Sequence, residues 1–170
     1  MIFFNKLFSI FILVLMSTSA SFSNETVAYI DIDFIIKNSN IGKITLETIK
    51  NRNNKNIDLL KKKEQILKDL ESEISSKKNI ISKEAFEKEA IIFSEKVNKF
   101  KGEQQKMIKD FNEYKKKEID AIFQKISPII NAYMKKKSIK ILFDSKNILM
   151  ARNDLNLTND ILNEINKEIK

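Results

Sequence analysis

The chain has 170 residues, with 31 Lys and Arg against 23 Asp and Glu, two Gly, one Pro and no His, Cys or Trp. Without thiols or imidazoles, the usual zinc, haem and iron–sulfur ligand sets are excluded, as are Cys–His and Ser–His–Asp nucleophile systems. Two glycines leave no phosphate-cradling loop, and so few turn formers argue for long helices over a sandwich or barrel of many short strands.

In chain order, the first feature is a leader. Lys6 precedes the apolar run Leu7–Met16, and small residues follow at Ser17–Ser21. This is the layout of a secretory signal peptide. The run is too short to span a bilayer comfortably, which takes roughly 20 residues; the alternative to a cleaved leader is a retained membrane anchor. Cleavage is expected near residues 20–23, leaving residues 1–23 outside the fold. Removing Lys6 lowers the net charge from +8 to +7. A chain exported without Cys is held by packing or by oligomerisation, not by disulfides.

Residues 24–40 open the body. Thr26–Asp31 is short, apolar and partly β-branched, which predicts a strand. Asp33–Lys37 carries the pattern of one helical turn. Asn38-Ser39-Asn40 is a polar break suited to capping the next helix.

Residues 41–137 predict a helical hairpin. The first helix runs from Ile41 to about Ser75, and a turn is expected near 75–82. Ser82 suits an N-cap, with Glu84 in the first turn where the helix dipole favours an acid. The second helix then runs to about Lys137. Along it Phe86, Phe93, Phe100, Met107, Tyr114 and Ala121 recur every seven residues. Ala90, Val97, Gln104, Phe111 and Glu118 interleave with them. Alternating spacings of four and three define the two seam positions of a coiled coil. The first helix repeats Leu46, Leu60, Leu67 and Ile74 at multiples of seven, with Asn53 in the gap and partial support from Ile57 and Leu70. Two such helices joined by a short turn should lie antiparallel. Pro128 can bend the second helix or mark its entry into the body.

Residues 138–170 return to the body. Ile139–Asp144 predicts a strand with Ile139, Ile141 and Phe143 on one face. Ser145-Lys146-Asn147 is a turn, and Ile148–Arg152 reads as a return strand. Thr158 is the expected cap of a last helix over Asn159–Ile169. The candidate body core and oligomerisation residues are Val27, Tyr29, Ile30, Ile139, Ile141, Phe143 and Leu149. The candidate seam residues are Leu60, Leu67, Ile74, Phe86, Phe93, Val97, Phe100, Met107, Phe111 and Tyr114. Three short strands bury little and leave open edges. A symmetric oligomer that completes a barrel from several copies would close them.

Four lysine clusters, at 61–63, 77–78, 115–117 and 135–137, interleave with acids on the helices. The positive balance suits acidic partners and anionic membrane surfaces. Nucleic acid is disfavoured by the leader and by the lack of a recognition motif or stacking platform. Carboxylates such as Asp69, Glu71 and Glu73 sit on a helix face with no concave site to separate their pKa values, so no catalytic residue, cofactor site or metal site is assigned.

In its order of segments and total length, the mature chain resembles the periplasmic chaperone family Skp, also called OmpH-like. Val27-Ala28-Tyr29-Ile30-Asp31 is similar to the family's first strand. The charged hairpin follows. Pro128-Ile129-Ile130 and Ser138–Asp144 are similar to its helix end and hydrophobic strand, and Leu149-Met150-Ala151 to its third strand. Leu157–Leu162 resembles the closing segment, where the family's Asp is replaced by Asn156. The resemblance implies an α+β, mostly helical protein: a homotrimer with a small β-barrel body and three hairpin tentacles around a cavity. It implies an ATP-independent holdase that carries unfolded outer-membrane β-barrel proteins across the periplasm. The alternative reading is a structural coiled-coil protein of the envelope that binds no clients. A cationic surface-binding or nucleic-acid-binding protein stands behind both.

Overall fold

The computed structural model describes residues 26–169, and the expected signal peptide, residues 1–23, lies outside them. The chain opens with strand β1, Thr26–Ile30, and a short helix α1, Ile32–Asn38. The one-turn expectation at 33–37 is thus a helix of seven residues. Asp31 starts it by accepting a 2.8 Å hydrogen bond from the Phe34 amide. Ser39 ends α1 and caps the long helix α2, Asn40–Lys77, its Oγ accepting from the Gly42 amide. Gly42 packs directly against the backbone of α1. A Cβ there would lie 1.7 Å from the Ile36 carbonyl oxygen, so only glycine permits the approach.

The chain turns at 78–82 and enters α3, Lys83–Lys136, which is capped by Ser82 through the Ala85 amide. Its 54 residues make a rod of about 80 Å. It continues through Pro128 without interruption. Ser138, at φ 56°, is a left-handed residue that stops α3 and redirects the chain into strand β2, Ile139–Asp144. Two 3-10 turns, Ser145–Asn147 and Asn153–Leu155, lead to the last helix α4, Thr158–Glu168.

β1 and β2 pair in parallel, which the long excursion between them allows. The register slips once: Thr26 pairs with Ile139 but Val27 with Ile141, so Lys140 is an extra residue on β2. This corrects the expected facing of β2. Simple alternation groups Ile139 with Ile141 and Phe143, but the slip turns Ile139 and Leu142 toward the core. Ile141 and Phe143 face away and are exposed.

The expected strand at 148–152 does not form. After the 3-10 turn at Ser145–Asn147 the segment runs past β1 and the end of β2 without pairing with either among the described residues. Leu149 is fully exposed, not a core residue of the single chain.

The core lies between the sheet, α1, α4 and the end of α3. Ala28, Ile30, Ile35, Ile36, Ile122, Ile126, Tyr133, Ile139, Ile161 and Ile165 make one buried cluster. The Tyr133 hydroxyl donates to Asp160 at 3.1 Å. Burial, helped by this acidic neighbour, pushes the Tyr133 phenol above its ordinary pKa.

Thr158 is the first residue of α4, not its cap; the cap position is Leu157, which bonds through no side chain. The Thr158 hydroxyl instead accepts from the Asp31 amide at 2.8 Å and donates to Asn156 Oδ1 at 2.6 Å. Asn156 Oδ1 also accepts from the Thr158 amide. With the bond from the Leu157 amide to the Tyr29 carbonyl, this clamps the start of α4 to the end of β1.

Candidate functional site

Two surfaces stand out, one along the arm made by α2 and α3 and one on the body. Three contacts made by charged side chains cross the arm: an ion pair of Lys63 with Glu103, Lys77 Nζ at 3.5 Å from Glu89, and the Arg52 guanidinium 4.0 Å from the centre of the Tyr114 ring. The residue numbers in each pair share one sum, 166, so the helices are antiparallel in a single register.

Of the candidate seam residues, Ile74 is buried, and Leu60, Leu67, Phe86, Phe93, Val97, Phe100, Met107, Phe111 and Tyr114 are half-buried. On α2 the covered positions form two complete rows. One is Leu46, Asn53, Leu60, Leu67 and Ile74. The other is Ile49, Asn56, Lys63, Leu70 and Lys77. Three of five residues in the second row are polar, so apolar periodicity misses it. Ile57, expected to support the pattern, is exposed. On α3 the interleaved row departs from expectation at Gln104, which is exposed, while Glu103 is half-buried beside it. The hydrogen bond and charge of Lys63 draw Glu103 inward. They hold its carboxyl below the usual glutamate range, against the opposing effect of desolvation.

Along the arm Ile57, Leu59, Ile66, Ile91, Ile92 and Ile108 are each at least 40 % exposed. Charge is unevenly distributed. Residues 50–63 and 99–117 hold thirteen Lys and Arg against four Asp and Glu, a net +9. The outer stretch, residues 64–98, holds six against eight, a net −2. The antiparallel register sets the two positive segments side by side, so they form one basic band between body and tip.

On the body, β1 turns Ala28 and Ile30 into the core and leaves Val27 and Tyr29 half-buried on the opposite face. There they join Phe143, Leu149 and Met150 around a cavity of about 430 Å³. Of the seven candidate body residues, the chain by itself buries Ile30 and Ile139. The other five, Val27, Tyr29, Ile141, Phe143 and Leu149, lie away from its core. Asn156 and Thr158 were not among the candidates as a pair. Their spacing around Leu157 was the available signal, but their partner, Asp31, lies at the far end of the chain. No group of three or more acidic residues among those described is arranged to hold a metal ion. No helix among them is long and apolar enough to cross a membrane.

The fold has a solved counterpart. A crystal structure from Caulobacter crescentus, of a protein described as an OmpH-like outer membrane chaperone, superposes with a TM-score of 0.77 at 18 % identity. The match covers 87 % of this chain and 88 % of that one. At that identity it shows the fold alone. No curated protein matches the sequence. The profile of the family "Outer membrane protein (OmpH-like)" matches residues 26–165. That span runs from the first strand through the arm to the last helix, and by it the chain belongs to the OmpH-like outer membrane protein family.

Proposed function

We propose that the protein is a periplasmic holdase that binds unfolded outer-membrane β-barrel proteins and prevents their aggregation, without ATP, as a homotrimer. The observation that carries the reading is the arm. It holds a series of aliphatic side chains in solvent, beside a basic band, on a rod too thin to bury them. Such a surface suits transient contact with extended chains that carry apolar strands and acidic charge. The family match supports the client class, and the leader expected from the sequence supports the compartment.

The trimer reading rests on the second surface. A two-stranded sheet with an open edge, Ile141 and Phe143 exposed on its outer face and Leu149 exposed beside it, is poor as a free end state. Three copies arranged around that face would cover it and give the segment at 148–152 a strand to pair with. The arms would then hang as coiled-coil tentacles around a cavity.

The test uses residues 24–170. A urea-unfolded outer-membrane β-barrel protein is diluted with and without this chain, with no nucleotide, while light scattering and complex mass are recorded. Suppressed scattering, with three copies per client, is expected. Unchanged scattering beside a well-folded oligomer would leave a structural coiled-coil protein of the envelope. Leu149→Asp is expected to give a folded, helical monomer by sedimentation. A trimer that persists in this variant would remove Leu149 from the interface.

A further inference from the structure

Building on the chaperone reading, we propose that one side of the arm is a docking groove for an extended client segment in which acidic and apolar residues alternate. Two cavities of about 280 and 270 Å³ between α2 and α3 lie end to end along one side of the arm, meeting at the Lys63–Glu103 ion pair, so they make one groove crossed by that pair. Its floor is Leu67, Leu70, Phe100, Met107 and Phe111. From Arg52 to Leu70 it extends about 27 Å at the helical rise per residue, enough for about eight residues of extended chain.

The rim supplies the charge. Arg52 lies over the Tyr114 ring, and Lys106 is held by Asp110 at 2.7 Å. Lys96 and Lys99 form no salt bridge with any described residue. They act only at longer range, helping to lower the carboxyl pKa values of Glu73 and Glu103. Lys63 is bound to Glu103 across the middle of the groove. A carboxylate entering there takes the place of Glu103 on Lys63, while Lys96 and Lys99 receive others at the outer end.

An extended segment places alternate side chains on opposite faces. One face presses apolar groups onto the floor, and the other keeps carboxylates within reach of flexible lysines. The cations are spread along the groove, which fits a chain with repeated negative charges. A single-headed amphiphile would use one of them and leave the rest unmatched.

The test is a fluorescence anisotropy titration of the assembled protein, residues 24–170. The probe is a labelled peptide of about ten residues alternating Asp and Val, compared with its Lys–Val counterpart. The Asp–Val peptide should bind and the Lys–Val peptide should not. Lys96→Glu with Lys99→Glu should weaken binding about tenfold, and Lys96→Gln with Lys99→Gln by less. Glu103→Gln, which frees Lys63, should tighten it by about two- to fivefold. Circular dichroism checks that each variant remains folded.

Equal binding of both peptides, or unchanged affinity in the folded double variants, overturns the proposal. Binding of dodecyl phosphate with no binding of the Asp–Val peptide also overturns it, assigning the groove to an amphiphile. Client aggregation is followed in parallel. Suppression kept by the double variants with peptide affinity unchanged removes the groove and leaves the chaperone reading intact. Absence of suppression by the unaltered protein removes that reading, and the peptide titration then decides the groove alone.

Discussion

In the body, Ile35, Ile126, Ile161 and Ile165 have no exposed surface, and every neighbouring element contributes to covering them. Along the arm no side chain between Ile49 and Ile74 is buried, and none on α3 is buried before Ile122. The body is a small three-dimensional core, whereas the arm is a line of half-covered contacts between two rods. Deep burial makes the body sensitive to single atoms. Shallow burial makes the arm tolerant, and it leaves apolar surface in water for other chains to meet.

The largest expected effect separates the two regions by one substitution each. Ile126→Ala should destabilise the folded state by about 4 kcal/mol, since it empties a fully buried site. Leu67→Ala, at a half-buried arm position, should cost about 1–2 kcal/mol. Urea unfolding followed by circular dichroism measures both, and equal costs would break the distinction.

The two glycines sharpen it. Gly42→Ala in the body drives a methyl group into the Ile36 carbonyl and should cost about 3 kcal/mol or more. Gly102→Ala in the arm meets nothing within 4 Å and should stabilise the helix by about 1 kcal/mol. The same unfolding curves should therefore shift in opposite directions.

The smallest effect is electrostatic. Glu103 in the arm and Asp33 in the body are both held below their ordinary pKa by a hydrogen bond and charge from a lysine, Lys63 and Lys146 respectively. A depressed carboxyl contributes stability above its ordinary pKa and loses it as pH falls through the lowered value. Both losses should therefore appear only on the acid side of the usual carboxylate range. Carboxyl NMR titration should return Glu103 toward its ordinary value in Lys63→Ala and leave Asp33 unmoved.

What the sequence made legible follows the same division. The turn expected near 75–82 and found at 78–82, the Ser82 cap and the apolar row of α3 are local signals, carried by spacing and by one or two residue types. The second row of α2 was hidden because Asn56, Lys63 and Lys77 occupy positions where apolar residues are expected. The facing of β2 turned on a single extra residue, Lys140, which no alternation rule reveals. The segment at Ile148–Arg152 has strand composition but pairs with neither strand beside it, and composition alone does not supply a ladder partner. Asn156 replaces an acid of the family pattern, yet its side-chain oxygen still accepts the Thr158 amide and hydroxyl bonds.

The clamp between Asp31 and Thr158 joins residues 127 positions apart in the chain. Closing so long a loop from a random coil costs about 4 kcal/mol in chain entropy before any contact offsets it. Helices α2 and α3 can zip from their own turn, each step joining residues already brought near, and so deliver the two ends of the chain to one place. Contact order is thus low along the arm and high in the body, and the arm should form first. A chain made amino end first must hold β1 unpaired until β2, in its last stretch, arrives. Truncation before Ile139 should therefore leave a helical hairpin with no head, and the time to completion should be set by the final 30 or so residues.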